Sequence, residues 1–139
     1  MDEWGKITIN EGELFQHSME QVGELLIRLN KEQLSSGIDS KGKRLPGYSR
    51  RHTIARRKRG LQTSVKDLNY EGGHYAGFYS RAYSDNVEVG SDDPKSPILE
   101  SADWSSPYIY GLTDENLEKF ISVFSEVFAE NFKNMILET

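Results

Sequence analysis

Tyr75-Ala76-Gly77-Phe78-Tyr79-Ser80-Arg81-Ala82-Tyr83-Ser84-Asp85-Asn86-Val87-Glu88-Val89-Gly90 is the stretch on which the fold class turns. Tyr75, Tyr79 and Tyr83 are four apart and share a face in a helix or in a strand, so their spacing decides nothing. The residues downstream decide it. Asp85-Asn86 reads as a turn and Val87-Glu88-Val89 alternates as a strand, which predicts a hairpin over Ala76 to Gly90. The turn lacks Asn-Gly or Asp-Gly, so its register is left open. A small antiparallel sheet among helices makes the chain α+β.

Two amphipathic helices flank that hairpin. Asn10 precedes Glu13 at the spacing of a capping box, in which the Asn side chain accepts from a free helix N–H while Glu13 reaches back. From there Phe15, Met19, Val22, Leu26 and Leu29, with Leu14 and Leu25 beside them, follow the three-and-four steps of one helix face. The reading is one helix from Glu11 to about Leu34, stopped by Ser35-Ser36-Gly37. Before it, Trp4 to Ile9 alternates as a short strand. At the other end Thr113 caps a second helix, with Asp114, Glu115 and Glu118 where the helix dipole favours acid. Leu117, Phe120, Ile121, Phe124, Val127, Phe128, Phe132, Met135 and Ile136 line its apolar side. So broad a stripe needs cover from the first helix and the hairpin, and what they leave bare becomes a subunit interface.

Composition bounds the rest. The chain has 139 residues, 36% of them hydrophobic and 28% charged, which suits a single domain spanning residues 1–139. No apolar run is long enough to cross a bilayer, and the start has neither a basic leader nor an apolar signal core, so no membrane association is expected. Without cysteine there is no disulfide, thiolate zinc site or cysteine nucleophile. The net charge of −5 conceals a segregation. Lys41, Lys43, Arg44, Arg50, Arg51, Arg56, Arg57, Lys58 and Arg59 lie in one stretch with no acid among them. They are nine of 17 basic residues, leaving eight against 22 acids, or −14, elsewhere. A basic segment on an acidic body suits contact with nucleic acid or with the acidic face of another copy.

Within that segment Ile38 to Gly47 reads as a loop or extended arm, and Ser49 caps a short helix from Arg50 to Arg59 that Gly60 ends. The cations of its last turn partly answer the helix dipole, but that accounts for only some of the nine. Asp92 to Pro107, rich in Asp, Ser and Pro, reads as a long polar surface loop.

Catalytic signatures are missing. His17, His52 and His74 have no partners at metal-ligand spacing, and no metal or cofactor is expected. There is no Gly-x-Ser-x-Gly elbow to make a nucleophile near His74, no phosphate loop around Gly72-Gly73, and no calcium-loop spacing after Asp92-Asp93. An enzyme is not expected, and a hydrolase using His74 rests on residue types alone.

The run Ser40-Lys41-Gly42-Lys43-Arg44-Leu45-Pro46-Gly47-Tyr48-Ser49, with basic residues on to Lys58 and Gly60, resembles the Gly-basic-x-Leu-Pro-x-Tyr-Ser run of tailed-bacteriophage virion-morphogenesis and tail-completion proteins. Asp67-Leu68, Gly73, the aromatic strand, the strand Val87 to Ser91 and the turn Tyr110-Gly111-Leu112-Thr113-Asp114-Glu115-Asn116 continue the order, so the likeness covers roughly residues 36–120. The chain departs from the pattern at Gly72-Gly73, where Thr-Gly is usual, and at Tyr110, where Phe is common. The resemblance implies long helices packed on a small sheet and a homo-oligomeric ring in the virion, at the neck or tail end. It also implies contact with a portal or adaptor protein and a tail-tube protein, assembled in the host cytoplasm. The nine basic residues would then face DNA or a neighbouring subunit. The rival reading is a small nucleic-acid-binding protein acting through residues 41–59.

Overall fold

A computed structural model describes residues 7–68, 73–97 and 108–137. Its elements run α1 (Glu11–Gln21), α2 (Gly23–Ser35), α3 (Arg50–Lys58), the single helical turn α4 (Gly73–Ala76), β1 (Phe78–Ala82), β2 (Val87–Ser91) and α5 (Asp114–Leu137). The chain is an α+β protein in which α1 and α2 pack on one antiparallel hairpin and α5 packs on α1 and α2.

The expected first helix is broken in two. Asn10 Oδ1 accepts from the Glu13 amide at 3.0 Å and starts α1 as anticipated. At Val22, however, the backbone leaves helical geometry (φ −107°, ψ 7°) before α2 begins at Gly23. The packing there is close: Gly23 abuts the Ser80 hydroxyl of β1, which a Cβ at this position would displace. Val22 keeps its place in the apolar stripe, and the break lets the hairpin come against the helix backbone. α2 then ends in a glycine-terminated hydrogen-bond pair. Gly37, at φ +73°, donates to the Leu34 carbonyl at 2.9 Å and Ile38 to that of Gln33 at 3.0 Å.

In the hairpin Phe78 pairs with Ser91, Ser80 with Val89 and Ala82 with Val87. The Tyr83 amide donates to the Asn86 carbonyl at 2.8 Å and closes the turn, which settles the register. Alternation sends Ala82, Val87 and Val89 inward and leaves Tyr79 and Tyr83 outside, each donating to a different oxygen of Glu88 at 3.2 Å. Tyr75 does not share their face, because Ala76 and Tyr75 belong to α4 and not to the strand.

Two apolar clusters result. Met19, Val22, Leu26 and Leu29 close over Phe120 of α5, with Phe15, Val87, Val89 and Phe124 at the margin. Leu34, Leu45, Leu68, Phe78 and Ile109 form the second, so the expected extended arm is pinned to the body at Leu45. The arm also folds on itself. Ile38 bridges Arg44, and Asp39 Oδ1 accepts from the amides of Lys41 and Lys43 at 3.0 and 2.9 Å.

Two further expectations change. Ile7 to Ile9 have no strand structure and the sheet stays two-stranded; Trp4 to Lys6 lie outside the described residues. Of the polar loop, residues 98–107 lie outside them too, whereas 92–97 is a folded turn held by the Asp92 amide on the Gly77 carbonyl at 2.9 Å. Among the described residues no helix is long and apolar enough to cross a membrane.

Candidate interaction surfaces

The basic segment is built around one inward cation. Ser49 Oγ accepts from the His52 amide at 3.2 Å and starts α3, while Gly60 (φ +72°) ends it with the Leu61 amide on the Arg56 carbonyl at 2.9 Å. Of its cations Arg56 alone is buried, at 3% exposure. Its Nη2 lies 3.1 Å from Asp67 Oδ1, its Nε donates to the Gln62 carbonyl at 2.9 Å, and its guanidinium sits 4.5 Å from the centre of the Tyr48 ring.

Asp67 collects more donors. The Tyr48 hydroxyl reaches Oδ1 at 3.0 Å and Gln62 Nε2 reaches Oδ2 at 2.8 Å. The Asp67 amide donates back to the Tyr48 oxygen at 3.0 Å, and the Tyr75 hydroxyl donates to the Asp67 carbonyl. A buried charge pair breaks even only when its remaining hydrogen-bond capacity is filled in this way. Burial pushes the Tyr48 and Tyr75 phenols above their ordinary values; for Tyr48 the hydrogen bond from the Asp67 amide pulls back against it, while the Asp67 carboxylate charge raises both. Burial also lowers the Lys66 amine, which lies 5.6 Å over the Tyr48 ring. Beside the knot Leu68 takes φ +61°, a conformation that costs a side-chain-bearing residue about 1 kcal/mol and that burial of its side chain offsets.

Arg56 is thus a structural anchor, and the other eight predicted contact residues point elsewhere. Arg50, Arg51, Arg57, Lys58 and Arg59 are exposed on α3 and its end. Lys41 lies over the Tyr108 ring at 5.2 Å, Arg44 reaches the Ser64 carbonyl at 3.4 Å, and Lys43 is exposed beside the Asp39 turn. The nine therefore form no single patch. Five stand on α3 and its end, three on the arm, and Arg56 ties α3 to residues 62–67 from within.

The second surface is on α5. Thr113 Oγ1 accepts from the Asn116 amide at 3.3 Å, as its capping role requires. Of the nine apolar residues expected on its inner side, Phe120 alone is buried. Leu117 is 42% exposed, Ile121 50% and Phe132 37%, so the hairpin and first helices do not cover the stripe. Toward its C-terminal half Phe128 and Phe132 line an open groove with Ile9, Phe15 and the hairpin turn at Ser84 and Asp85.

What aims α5 is a pair of amides that sequence periodicity passes over. Asn30 Nδ2 donates to the Ile109 carbonyl and its Oδ1 accepts from the Gly111 amide, both at 2.9 Å. Gln33 Nε2 donates to the Gly111 carbonyl at 2.9 Å, while its Oε1 accepts from the Thr113 amide at 2.9 Å and Asn116 Nδ2 at 2.8 Å. Two polar residues three apart on an apolar helix face were the available signal.

His74 is buried in a similar structural role. Its Nδ1 lies 3.0 Å from Ser96 Oγ, and its ring meets Phe78 edge-on at 5.1 Å. Ser96 is 1% exposed, so the pair ties α4 to the 92–97 turn and presents no hydroxyl to a substrate. Among the described residues no cluster of His, Asp and Glu could hold a metal ion. No family model, curated protein or solved structure matches the chain.

Proposed function

We propose that this protein is a structural component of a tailed-phage virion, a tail-completion or head-to-tail joining protein that forms a ring at the neck or tail end and does not act as an enzyme. The observation that carries it is a pair of unlike open surfaces on one small chain, the outward cations of α3 and the exposed part of the apolar stripe of α5 at Leu117, Ile121 and Phe132. A protein working alone gains nothing from either, whereas a part lodged between neighbours needs both. The order of motifs from Ser40 to Asn116 supports the same assignment, with a portal or adaptor protein on one side and a tail-tube protein on the other.

The alternative, a nucleic-acid-binding protein, draws on the exposed Arg50, Arg51, Arg57 and Lys58, which could neutralise phosphates without reading sequence. The acidic remainder of the chain opposes it. Light scattering of the purified protein, alone and mixed with portal or tail-tube protein at low and high salt, separates the two. A discrete multimer or a joint complex is expected. A monomer indifferent to those proteins, but binding naked DNA in a salt-sensitive manner, overturns the proposal in favour of the alternative.

A further inference from the structure

Ile54 is 46% exposed in the middle of α3. Arg50, Arg51, Arg57 and Lys58 stand four and three residues before it and three and four after it, so all four surround it on the outer face while Arg56 holds the inner one. An apolar side chain at the centre of a cationic ring adds nothing to phosphate binding. It suits a protein surface that is apolar at the centre and acidic at the rim.

The N-terminal half of α5 is such a surface. Leu117 and Ile121 are one turn apart and about half exposed. Asp114 lies three residues before Leu117 and Glu118 three before Ile121, which places both exposed carboxylates beside the apolar pair. Lys119, the nearest cation, is turned to Glu115 at 3.6 Å. Within one copy the two patches leave each other uncovered, as the exposure of all three apolar residues records.

We infer that the outer face of α3 in one copy docks on the Asp114–Ile121 face of α5 in a second copy of this chain. Charge complementarity selects that occupant: four cations meet two carboxylates around an Ile54-to-Leu117/Ile121 contact. Because the two patches differ, the contact is head-to-tail, and a joined pair is left with one free α5 patch on the first copy and one free α3 patch on the second for further neighbours, the geometry that generates rings or filaments. The inference rests on the ring-forming reading above and names the contact that would join its subunits.

The chain has no cysteine, so introduced thiols report this contact without background. Mixing an Ile54→Cys chain with an Ile121→Cys chain under mild oxidation should give a linked dimer that neither variant gives alone, and a chain carrying both changes should give a ladder. Arg50→Glu with Arg51→Glu should weaken association at least tenfold, as should Asp114→Lys with Glu118→Lys, and mixing the two charge variants should restore it in part. All these positions are exposed, so circular dichroism should match the parent, with melting lowered slightly only in the Asp114→Lys and Glu118→Lys chain, where cations replace acids in the first turns of α5. Multimers by light scattering with neither cross-link nor charge rescue overturn this contact and leave the ring reading intact. A monomer at every salt concentration, with and without portal and tail-tube protein, overturns both.

Discussion

α2 and α5 carry similar apolar stripes and meet opposite fates. α2 buries six of its 13 residues, including Asn30 and Gln33, whereas α5 buries one of 24. α2 lies between the hairpin, α1 and the 109–113 segment, so neighbours reach it from several sides. α5, about 36 Å long at 1.5 Å per residue, meets the shorter α1 and α2 along one side. A stripe therefore states what a helix can bury, and how many sides its neighbours reach decides what it does bury.

The sharpest way to test the contrast is truncation on each helix. Leu34→Ala, at a site with no exposure, should cost about 3 kcal/mol in a denaturant titration, through lost burial plus the cavity left behind. A comparable contrast exists inside the basic segment. Arg56→Met should cost about 3 kcal/mol by leaving Asp67 without its guanidinium, while Arg57→Met one residue on should change folding stability by no more than about 0.5 kcal/mol. Equal losses for the two arginines would mean that Arg56 is not the anchor.

An alkaline titration probes the same knot. The Tyr75 phenol has its ionisation raised above the ordinary 10.0 by burial, so the folded state holds that proton more tightly than the unfolded chain does. Its contribution is complete below pH 10, and stability should fall as pH rises past that value, where the unfolded chain gives up the proton first. Tyr75→Phe should flatten part of that fall in melts taken between about pH 10 and 12. An unchanged alkaline slope would place the loss in other groups. The smallest expected effect is on α5: Ile121→Ala should leave monomer stability within about 0.5 kcal/mol by thermal melting, since half of that side chain already faces water. A loss as large as that of Leu34→Ala would show that the stripe is core after all.

Much of the local architecture was legible in the residues. Asn10, Ser49 and Thr113 announced three helix starts, Gly37 and Gly60 two helix ends, and Val87-Glu88-Val89 the second strand, because caps and alternation are short-range chemistry. The break at Val22 was not legible: the residue after it, Gly23, lies against Ser80, 57 residues further on. Arg56 could not be told from Arg57 by residue type, since what separates them is the carboxylate of Asp67.

By itself, then, the sequence determined three helix starts, the hairpin, the absence of thiol chemistry and the sorting of nine cations into one stretch, all matters of composition and near-neighbour order. Tertiary structure alone decided which arginine turns inward, how Asn30 and Gln33 aim α5, and which part of its stripe stays open. Those outcomes depend on groups distant in the chain meeting in space, where burial and hydrogen-bond satisfaction are settled by geometry that no local pattern carries.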